Sequence, residues 1–153
     1  MKGILVYDTS YGNTKKVAET IAESLKESGL EVDLFSLKDV GKFNSKDYGF
    51  IVLGSPTRFG TMSFAMRSFV GRLKSEEWAN KPFASFDTEN PENEAKKQSS
   101  AGEKIVEKLK EKGMKQQLPV LKSLVHDQKG PLLDGEVDKA KNWAKQLTTE
   151  LKK

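Results

Sequence analysis

The sequence predicts an α/β sandwich of three layers, with helices on both faces of a five-stranded parallel sheet. Two observations lead to this fold class. Short apolar runs typical of strands alternate along the chain with longer segments whose apolar residues recur at helical spacing. In addition, two of the predicted strands have the features of sheet edges. Among the orders common in such sheets, these edges favour the strand order 2-1-3-4-5.

The first half of the chain alternates strands with helices. Strands are predicted over residues 3–7, 31–37 and 48–54, and helices over residues 14–28 and 64–73. The first and third strands are continuous apolar runs, as expected of strands buried on both faces of a sheet. The second alternates more loosely around Val32 and Leu34, which is typical of a half-exposed edge strand.

The second half repeats the alternation. Strands are predicted over residues 82–86 and 118–125, and helices over residues 99–112 and from Asp134, the expected N-cap, to near the end of the chain. Pro119 lies near the start of the last strand. Because proline has no N–H to donate to a ladder, this strand is expected at the other sheet edge. Residues 89–100 are polar and without periodicity, so a long loop is expected there.

Composition narrows the classes of function. A chain of 153 residues is expected to form one domain over residues 1–153. It contains no cysteine and a single histidine, which excludes disulfides, thiolate metal sites and mechanisms that use two histidines. The start of the chain reaches a charge too soon for a signal peptide, and no apolar run approaches the roughly 20 residues of a membrane span. We therefore expect a cytoplasmic protein that does not associate with membranes.

The net charge of +4 gives little indication of nucleic-acid binding. The excess of basic residues lies after residue 90, where lysines alternate with glutamates as on a solvated helix face. Nucleic-acid binding would require a denser basic stripe interleaved with aromatic residues. We expect no nucleic-acid partner, and a monomer.

The connection between the first strand and the first helix has the composition of a phosphate site. Its candidate residues are Thr9, Ser10, Tyr11, Gly12, Asn13 and Thr14. Three aliphatic hydroxyls, an amide and a glycine meet the free N–H groups of a helix N-terminus, which together bind an anion without a lysine. The structural alternative is a well-capped turn in which Thr14 is only the helix cap.

These residues carry a resemblance to a known family. The segment from Leu5 to Ala18, which reads LVYDTSYGNTKKVA, resembles the FMN-phosphate signature of the flavodoxins, and its central part is similar to the flavodoxin domains of flavo-diiron proteins. The resemblance covers essentially the whole chain. It implies the flavodoxin fold, FMN as cofactor and a role in electron transfer.

The loop after the third strand is the candidate site of the flavin ring. Its predicted flavin-binding residues are Ser55, Pro56, Thr57, Arg58, Phe59 and Gly60. Phe59 or Met62 can supply an apolar wall for the ring. Residues 56–63 resemble the flavin loop of the tryptophan-repressor-binding-protein type of NAD(P)H:quinone oxidoreductase. Resemblance to flavodoxins also implies that a carbonyl near Gly60 turns toward the flavin. The structural alternative is a turn whose Phe59 packs on the core.

The third loop departs from the family pattern. Thr88, Glu89 and Asn90 are the candidates to offer backbone N–H groups to the pyrimidine edge of the flavin, although neither the glycines nor the aromatic residue typical of flavodoxins occurs there. Charge also departs, because Arg58 lies in the flavin loop and Arg67 and Arg72 follow it, whereas flavodoxins are usually acidic. A cation near the ring should raise the reduction potential.

Three functions follow from these features. The first is an FMN-binding electron carrier that shuttles electrons between redox partner proteins. The second is a small FMN-dependent NAD(P)H:quinone oxidoreductase, although the insertion found in the longer enzymes with a similar flavin loop is not visible here. The third is a flavin-free binding module with the same fold, which the atypical third loop motivates, since a fold alone does not determine function.

Overall fold

The computed structural model describes residues 1–96 and 99–153. Six strands are present in this part of the chain: β1 (Lys2–Tyr7), β2 (Glu31–Ser36), β3 (Phe50–Pro56), β4 (Pro82–Glu89), β5 (Lys115–Gln116) and β6 (Leu121–Leu124). The helices are α1 (Asn13–Glu27), α2 (Phe64–Arg72), α3 (Ser75–Trp78), α4 (Pro91–Ala95), α5 (Ala101–Glu111) and α6 (Glu136–Leu151), and Ser45–Asp47 forms one turn of 3-10 helix.

The sheet has the predicted topology. All strand pairs are parallel, and the order runs β2-β1-β3-β4, with β5 and β6 both paired to the outer side of β4. The register places Tyr7 beside Gly54, and Gly54 beside Phe86. The carboxyl ends of β1, β3 and β4 therefore lie side by side, and the connections that follow them share one edge of the sheet, where the winding reverses.

The strand predicted over residues 118–125 is shorter than expected, and a separate strand that was not predicted, Lys115–Gln116, precedes it. Lys115–Gln116 pairs with the start of β4 and Leu121–Leu124 with its end, so residues 118–120 are not strand. Pro119 lies in this interruption, where it can make no ladder hydrogen bond, and its carbonyl instead accepts a hydrogen bond of 3.0 Å from Trp143 Nε1. The position at the sheet edge is confirmed, whereas the start of the strand was predicted wrongly and the short strand Lys115–Gln116 was missed.

The expected loop over residues 89–100 is also partly wrong. Strand β4 continues to Glu89, and Pro91–Ala95 forms the short helix α4. The extension of β4 escaped the apolar pattern because its last residues are polar yet buried. Lys97 and Gln98, which fall within the predicted loop, lie outside the described residues.

The start of the last helix differs from the prediction as well. Gly135, at φ +86°, occupies the N-cap of α6, and no side chain caps this helix. Asp134 is therefore not the N-cap. The glycine replaces it because the chain enters the helix through a left-handed conformation, which a residue with a side chain adopts at a cost.

Two apolar layers hold the helices to the sheet. Helices α1 and α6 cover one face, with Val17, Ile21 and Leu147 in the buried cluster. Helices α2 and α5 cover the other, with Met66 and Ile105 in the second cluster. None of the described helices is both long and apolar enough to cross a membrane. These layers fix the edge at which β1, β3 and β4 end.

Candidate functional site

Helix α1 begins without a side-chain cap, at the end of β1. Gly12 occupies the N-cap at φ +92°, and the first hydrogen bond of the helix runs from Lys16 N–H to Gly12 carbonyl, at 3.1 Å. The N–H groups of residues 13–15 have no acceptor among the described residues. A helix of 15 residues thus directs free donors and the positive end of its dipole to the sheet edge, which is a site for an anion.

Three hydrogen bonds fix the loop that leads into this helix. Asp8 Oδ1 accepts a bond of 3.0 Å from the N–H of Thr9, and Thr9 Oγ1 accepts one of 3.0 Å from the N–H of Gly12. The N–H of Asp8 donates to the carbonyl of Gly54, at 3.0 Å, which ties the loop to β3. These contacts within the protein determine the shape of the loop.

The Thr14 side chain joins the loop to strand β4. Its Oγ1 lies 2.9 Å from Thr88 Oγ1, and both residues are buried. Because Thr14 lies inside helix α1 rather than at its N-cap, the alternative in which Thr14 is only a cap is wrong. The pair brings two of the predicted site segments into direct contact.

Arg58 connects the two main loops of the site. Its Nη2 donates a hydrogen bond of 2.6 Å to Ser10 Oγ. Its guanidinium carbon lies 6.0 Å from the centre of the Tyr11 ring, and Lys129 Nζ lies 5.9 Å from the same ring. The predicted flavin loop therefore places its cation against the predicted phosphate loop, where it favours a negatively charged ligand.

The flavin loop ends in a tight turn that exposes Phe59. Arg58 and Thr61 exchange two backbone hydrogen bonds, of 2.9 and 3.1 Å, and Phe59 and Gly60 between them have φ values of +52° and +77°. Positive φ at both central positions is the mark of a type I′ turn. The Phe59 side chain is fully exposed, so it does not pack on the core as the structural alternative required.

Other residues of this loop have structural roles. Met62 is buried, which leaves Phe59 as the aromatic candidate for a ring wall. Ser55 is completely buried, and its Oγ donates to the carbonyl of Pro56 and accepts from the N–H of Ser63. The Gly60 carbonyl, proposed by resemblance to turn toward a flavin, accepts a bond of 2.8 Å from Ser99 Oγ.

The N-terminus of α5 is satisfied by residues at the edge of the site. Thr57 Oγ1 accepts from the N–H of Ala101 at 3.1 Å, and Asp87 Oδ2 accepts from the N–H of Gly102 at 2.8 Å. These bonds position the flavin loop and the end of β4 against the same helix. The bond from Gly102 also satisfies one oxygen of the buried Asp87 carboxyl group.

Two buried carboxyl groups lie at the end of β4. Burial raises the pKa of Asp87 to about 7, and the nearby charge of Glu89 adds to the rise. Burial also raises the pKa of Glu89, against the effects of Asn93 and Lys122. Asp87 Oδ1 and Glu89 Oε1 have no hydrogen-bond partner among the described residues. An unpaired buried oxygen is costly, so Glu89 offers an acceptor to a ligand with N–H groups.

The predicted residues converge on one cleft. It has a volume of about 340 Å³, and its lining includes residues of all three predicted loops: Thr9, Ser10, Tyr11, Asn13, Thr14, Pro56, Thr57, Arg58, Phe59, Thr88, Glu89 and Asn90. A second cavity of about 420 Å³ shares Thr57, Phe59, Glu89 and Asn90 with it and adds Gly60. Gly12 and Ser55 do not line either cavity; Gly12 forms the bend, and Ser55 lies below the surface.

The comparison with protein families decides the affiliation of the chain. Residues 4–136 match the family described as Flavodoxin domain. The chain belongs to the flavodoxin family.

Individual relatives agree with this flavodoxin-family assignment. The chain is 35% identical to a flavodoxin of Aquifex aeolicus over 78 residues, which are 50% of this chain and 42% of that protein. It is 33% identical to a protoporphyrinogen IX dehydrogenase [quinone] of Leishmania major over 76 residues, 49% of this chain and 33% of that protein. The matches thus span less than half the length of these two relatives.

Solved structures extend the similarity to the whole flavodoxin fold. A flavodoxin from the domain Archaea superimposes with a TM-score of 0.82 at 26% identity, covering 100% of both chains. Flavodoxin 1 of Bacillus cereus superimposes with a TM-score of 0.80 at 22% identity, covering 97% of this chain and 98% of that one. The second likeness, at this identity, shows the fold alone.

Membership of the flavodoxin family implies a flavin cofactor, and the cleft fits one. A flavin mononucleotide needs an anion site, an apolar wall and acceptors for its ring N–H groups. The uncapped start of α1, the exposed Phe59 ring and the unpaired Oε1 of Glu89 supply these three features at one opening. The volumes of the two cavities lie in the range usual for ligand sites.

Sequence reasoning missed one side of this cleft. Val125 and Gln128, from the connection after β6, line the cleft. A β-carbon added at Gly130 would lie 2.5 Å from Asn13 Oδ1, so this connection packs closely on the predicted phosphate loop. The signal available was topological: the connection leaves the carboxyl end of a parallel strand, as the other site loops do.

Proposed function

We propose that the chain binds FMN in this cleft and transfers electrons between redox partner proteins. The observation that carries the proposal is the uncapped N-terminus of α1, which opens into the same cleft as the turn bearing Phe59. The family assignment supports a flavin, and the anion site favours the form of flavin that carries a phosphate.

The residues that would hold FMN divide by chemistry. The hydroxyls of Thr9, Ser10 and Thr14 and the free N–H groups at the start of α1 suit a phosphate, whose charge Arg58 and the helix dipole stabilise. Phe59 suits one face of the ring, and Glu89 an N–H on its edge. When bound, the flavin supplies the redox chemistry, while the protein supplies binding and electrostatics.

Titration with FMN and with riboflavin tests the proposal. We expect saturable quenching of flavin fluorescence by FMN and binding at least tenfold weaker for riboflavin, because riboflavin lacks the phosphate. Thr14→Val should weaken FMN binding roughly tenfold, the equivalent of about 1.4 kcal/mol. The matched control is Thr20→Val, on the same helix, whose hydroxyl bonds only the carbonyl of Lys16.

The same titration distinguishes the alternative functions. A folded protein that shows no saturable quenching would contradict the proposal and leave the flavin-free binding module. Equal affinity for FMN and riboflavin would show that the start of α1 is not the phosphate site.

A quinone reductase is the second candidate, because the chain resembles part of the L. major protoporphyrinogen IX dehydrogenase [quinone]. Steady-state oxidation of NAD(P)H by the FMN-loaded protein, with menadione as the quinone, separates the two functions. Rapid turnover would favour the enzyme. Turnover no faster than that of free FMN, together with electron exchange with a protein acceptor, would favour the carrier.

A further inference from the structure

The mouth of the cleft carries an unusual share of the exposed aromatic surface. Among the described residues, four large hydrophobic side chains are exposed, and three of them, Tyr11, Phe59 and Phe64, belong to the loops beside the cleft or to the start of α2. Phe59 is fully exposed and Phe64 is 88% exposed. Exposed aromatic side chains gathered beside a functional cleft are typical of a surface that another molecule covers.

The charge around these aromatic residues has one sign. Residues 48–75 contain Arg58, Arg67, Arg72 and Lys74 and no aspartate or glutamate, although residues 1–90 as a whole are balanced in charge. Local charge on this segment is therefore strongly positive, in contrast to the part of the chain that contains it.

Hydrogen bonds hold the arginines along the exposed side of α2. Arg67 Nη2 donates to Thr61 Oγ1 at 3.1 Å, which ties the helix to the turn that bears Phe59. Arg72 Nη1 donates to Ser68 Oγ at 2.7 Å. Neither arginine forms an ion pair with a described residue. Their charges are thus available to a partner.

Helix α4, which follows β4 on the other side of the cleft, carries acidic residues. Helix α4 carries Glu92 and Glu94, and Glu92 pairs with Lys96 at 2.7 Å. The segment formed by β3, its turn and α2 therefore carries cations without carboxylates, whereas α4 carries carboxylates. An approaching protein would therefore be oriented by this asymmetry as well as attracted.

We propose that Arg58, Phe59, Phe64, Arg67 and Arg72, here named the arginine face, dock an acidic electron-transfer protein whose redox group lies near a surface rich in carboxylates. The proposal rests on the proposed function, since the docked group would face the cleft that holds the flavin. Complementary charge steers the encounter, and burial of the Phe64 ring, together with the part of Phe59 that a bound flavin leaves exposed, stabilises the complex.

Binding to two redox proteins of opposite charge tests this inference. The probe is an acidic plant-type [2Fe–2S] ferredoxin, and the counter-probe is a basic mitochondrial cytochrome c. Calorimetry at low ionic strength should show a ferredoxin complex whose Kd rises at least tenfold between about 20 and 200 mM salt, and much weaker binding of cytochrome c. The protein is measured both with and without added FMN.

Charge reversal locates the docking surface. Arg72→Glu combined with Lys74→Glu should raise the Kd for ferredoxin at least tenfold and leave FMN affinity unchanged, because neither residue lines the cleft and Arg72 bonds only Ser68 on its own helix. The matched control is Lys141→Glu combined with Lys145→Glu, two exposed positions on α6, which covers the other face of the sheet. The control should change the Kd less than threefold. Circular dichroism checks that both variants fold.

Several outcomes would overturn the inference. The first is an equal loss of ferredoxin affinity in the variant and its control, and the second is the absence of a ferredoxin complex at low salt. The third is tighter binding of cytochrome c than of ferredoxin. The fourth is displacement of ferredoxin by a short single-stranded oligonucleotide that binds more tightly through the same arginines. Binding of ferredoxin is read independently of flavin. Docking can therefore fail while FMN binds, and FMN binding can fail while docking persists.

Discussion

At the scale of single residues, Arg58 has more than one consequence for the site. The sequence placed its charge in the flavin loop, and the structure shows that the guanidinium also reaches Ser10 of the phosphate loop. One side chain therefore links the segment that would contact the ring to the segment that would bind the phosphate. In the proposed FMN complex its charge would act on both parts of the cofactor.

Reversing this charge should lower the reduction potential of the bound flavin. Arg58→Glu replaces a cation by an anion beside the site, which disfavours the addition of negative charge to the ring. A shift of roughly 30–60 mV is expected, since about 59 mV corresponds to a tenfold change for one electron. Redox titration against Arg72→Glu, which lies outside the cleft, provides the comparison. No downward shift specific to Arg58→Glu would remove this role.

Asp87 should make stability depend on pH. Its pKa is raised from 3.8 to about 7 in the folded protein, so between these values the folded state binds a proton that the unfolded state releases. The free energy of unfolding therefore falls as pH rises through this window. Asp87→Asn retains an acceptor for the N–H of Gly102 and removes the contribution of this carboxyl group to the decrease in unfolding free energy.

Urea denaturation of the FMN-free protein at pH 5 and pH 8 measures this effect. From pH 5 to pH 8, the free energy of unfolding should fall on the order of 1–4 kcal/mol further in the unmodified protein than in Asp87→Asn. Glu89, whose pKa is also raised, leaves a smaller slope of the same sign in the variant. An identical pH dependence in both proteins would contradict the assignment to Asp87.

At the scale of elements, the turn at residues 58–61 combines backbone strain with an exposed side chain. Phe59 adopts φ +52°, a conformation that costs a residue with a β-carbon roughly 1–2 kcal/mol, and the ring makes no compensating contact with the core. Strain of this kind often marks a functional segment. The sequence indicated a loop but gave no sign that its phenylalanine lies in the left-handed region.

Replacing Phe59 by asparagine should stabilise the FMN-free protein. Asn-Gly is the preferred pair at the centre of a type I′ turn, so Phe59→Asn should raise the free energy of unfolding by about 0.5–1 kcal/mol. The matched control is Phe64→Asn, which replaces an equally apolar, exposed ring at the start of α2. Chemical denaturation that shows the same change for both variants would contradict the strain at position 59.

Strand β4 shows where periodicity could not indicate an element. The apolar pattern ends at Phe86, yet the strand continues through Asp87, Thr88 and Glu89. Gly102 N–H and Thr14, both distant in sequence, and Asn93 on the following helix satisfy some of their polar atoms. Such bonds form only after the layers pack, so the sequence favoured a loop.

At the scale of the whole molecule, the sheet depends on the close approach of the Phe86 ring to the backbone of Gly54 on the neighbouring strand. A β-carbon at Gly54 would lie 2.1 Å from the ring of Phe86, which is completely buried. The glycine is required because the ring occupies the space above β3, next to the point where the site loops diverge.

Adding a methyl group at Gly54 should therefore destabilise the protein. Gly54→Ala is expected to cost about 1–3 kcal/mol of unfolding free energy, because the ring must move within a packed layer. Gly71→Ala is the control: it lies in helix α2 with open space around it, and should gain about 0.5–1 kcal/mol. Thermal or urea unfolding measures both. A Gly54→Ala protein as stable as the unmodified one would show that the layer yields easily.

The fold class, the strand order and the two loops after β1 and β3 were determined by the sequence itself. These features are local: apolar period, the glycine and hydroxyls of residues 9–14, and the edge signals at Val32 and Pro119 each act within a few residues of the chain. Their meaning does not depend on what packs against them.

Only the tertiary structure decided how the site closes. The bond from Arg58 to Ser10, the Thr14–Thr88 pair, the buried carboxyls of β4 and the loop after β6 against Asn13 each join segments far apart in sequence. The local sequence around either residue does not predict its partner. The contact forms only when the parallel strands bring their carboxyl ends to one edge of the sheet.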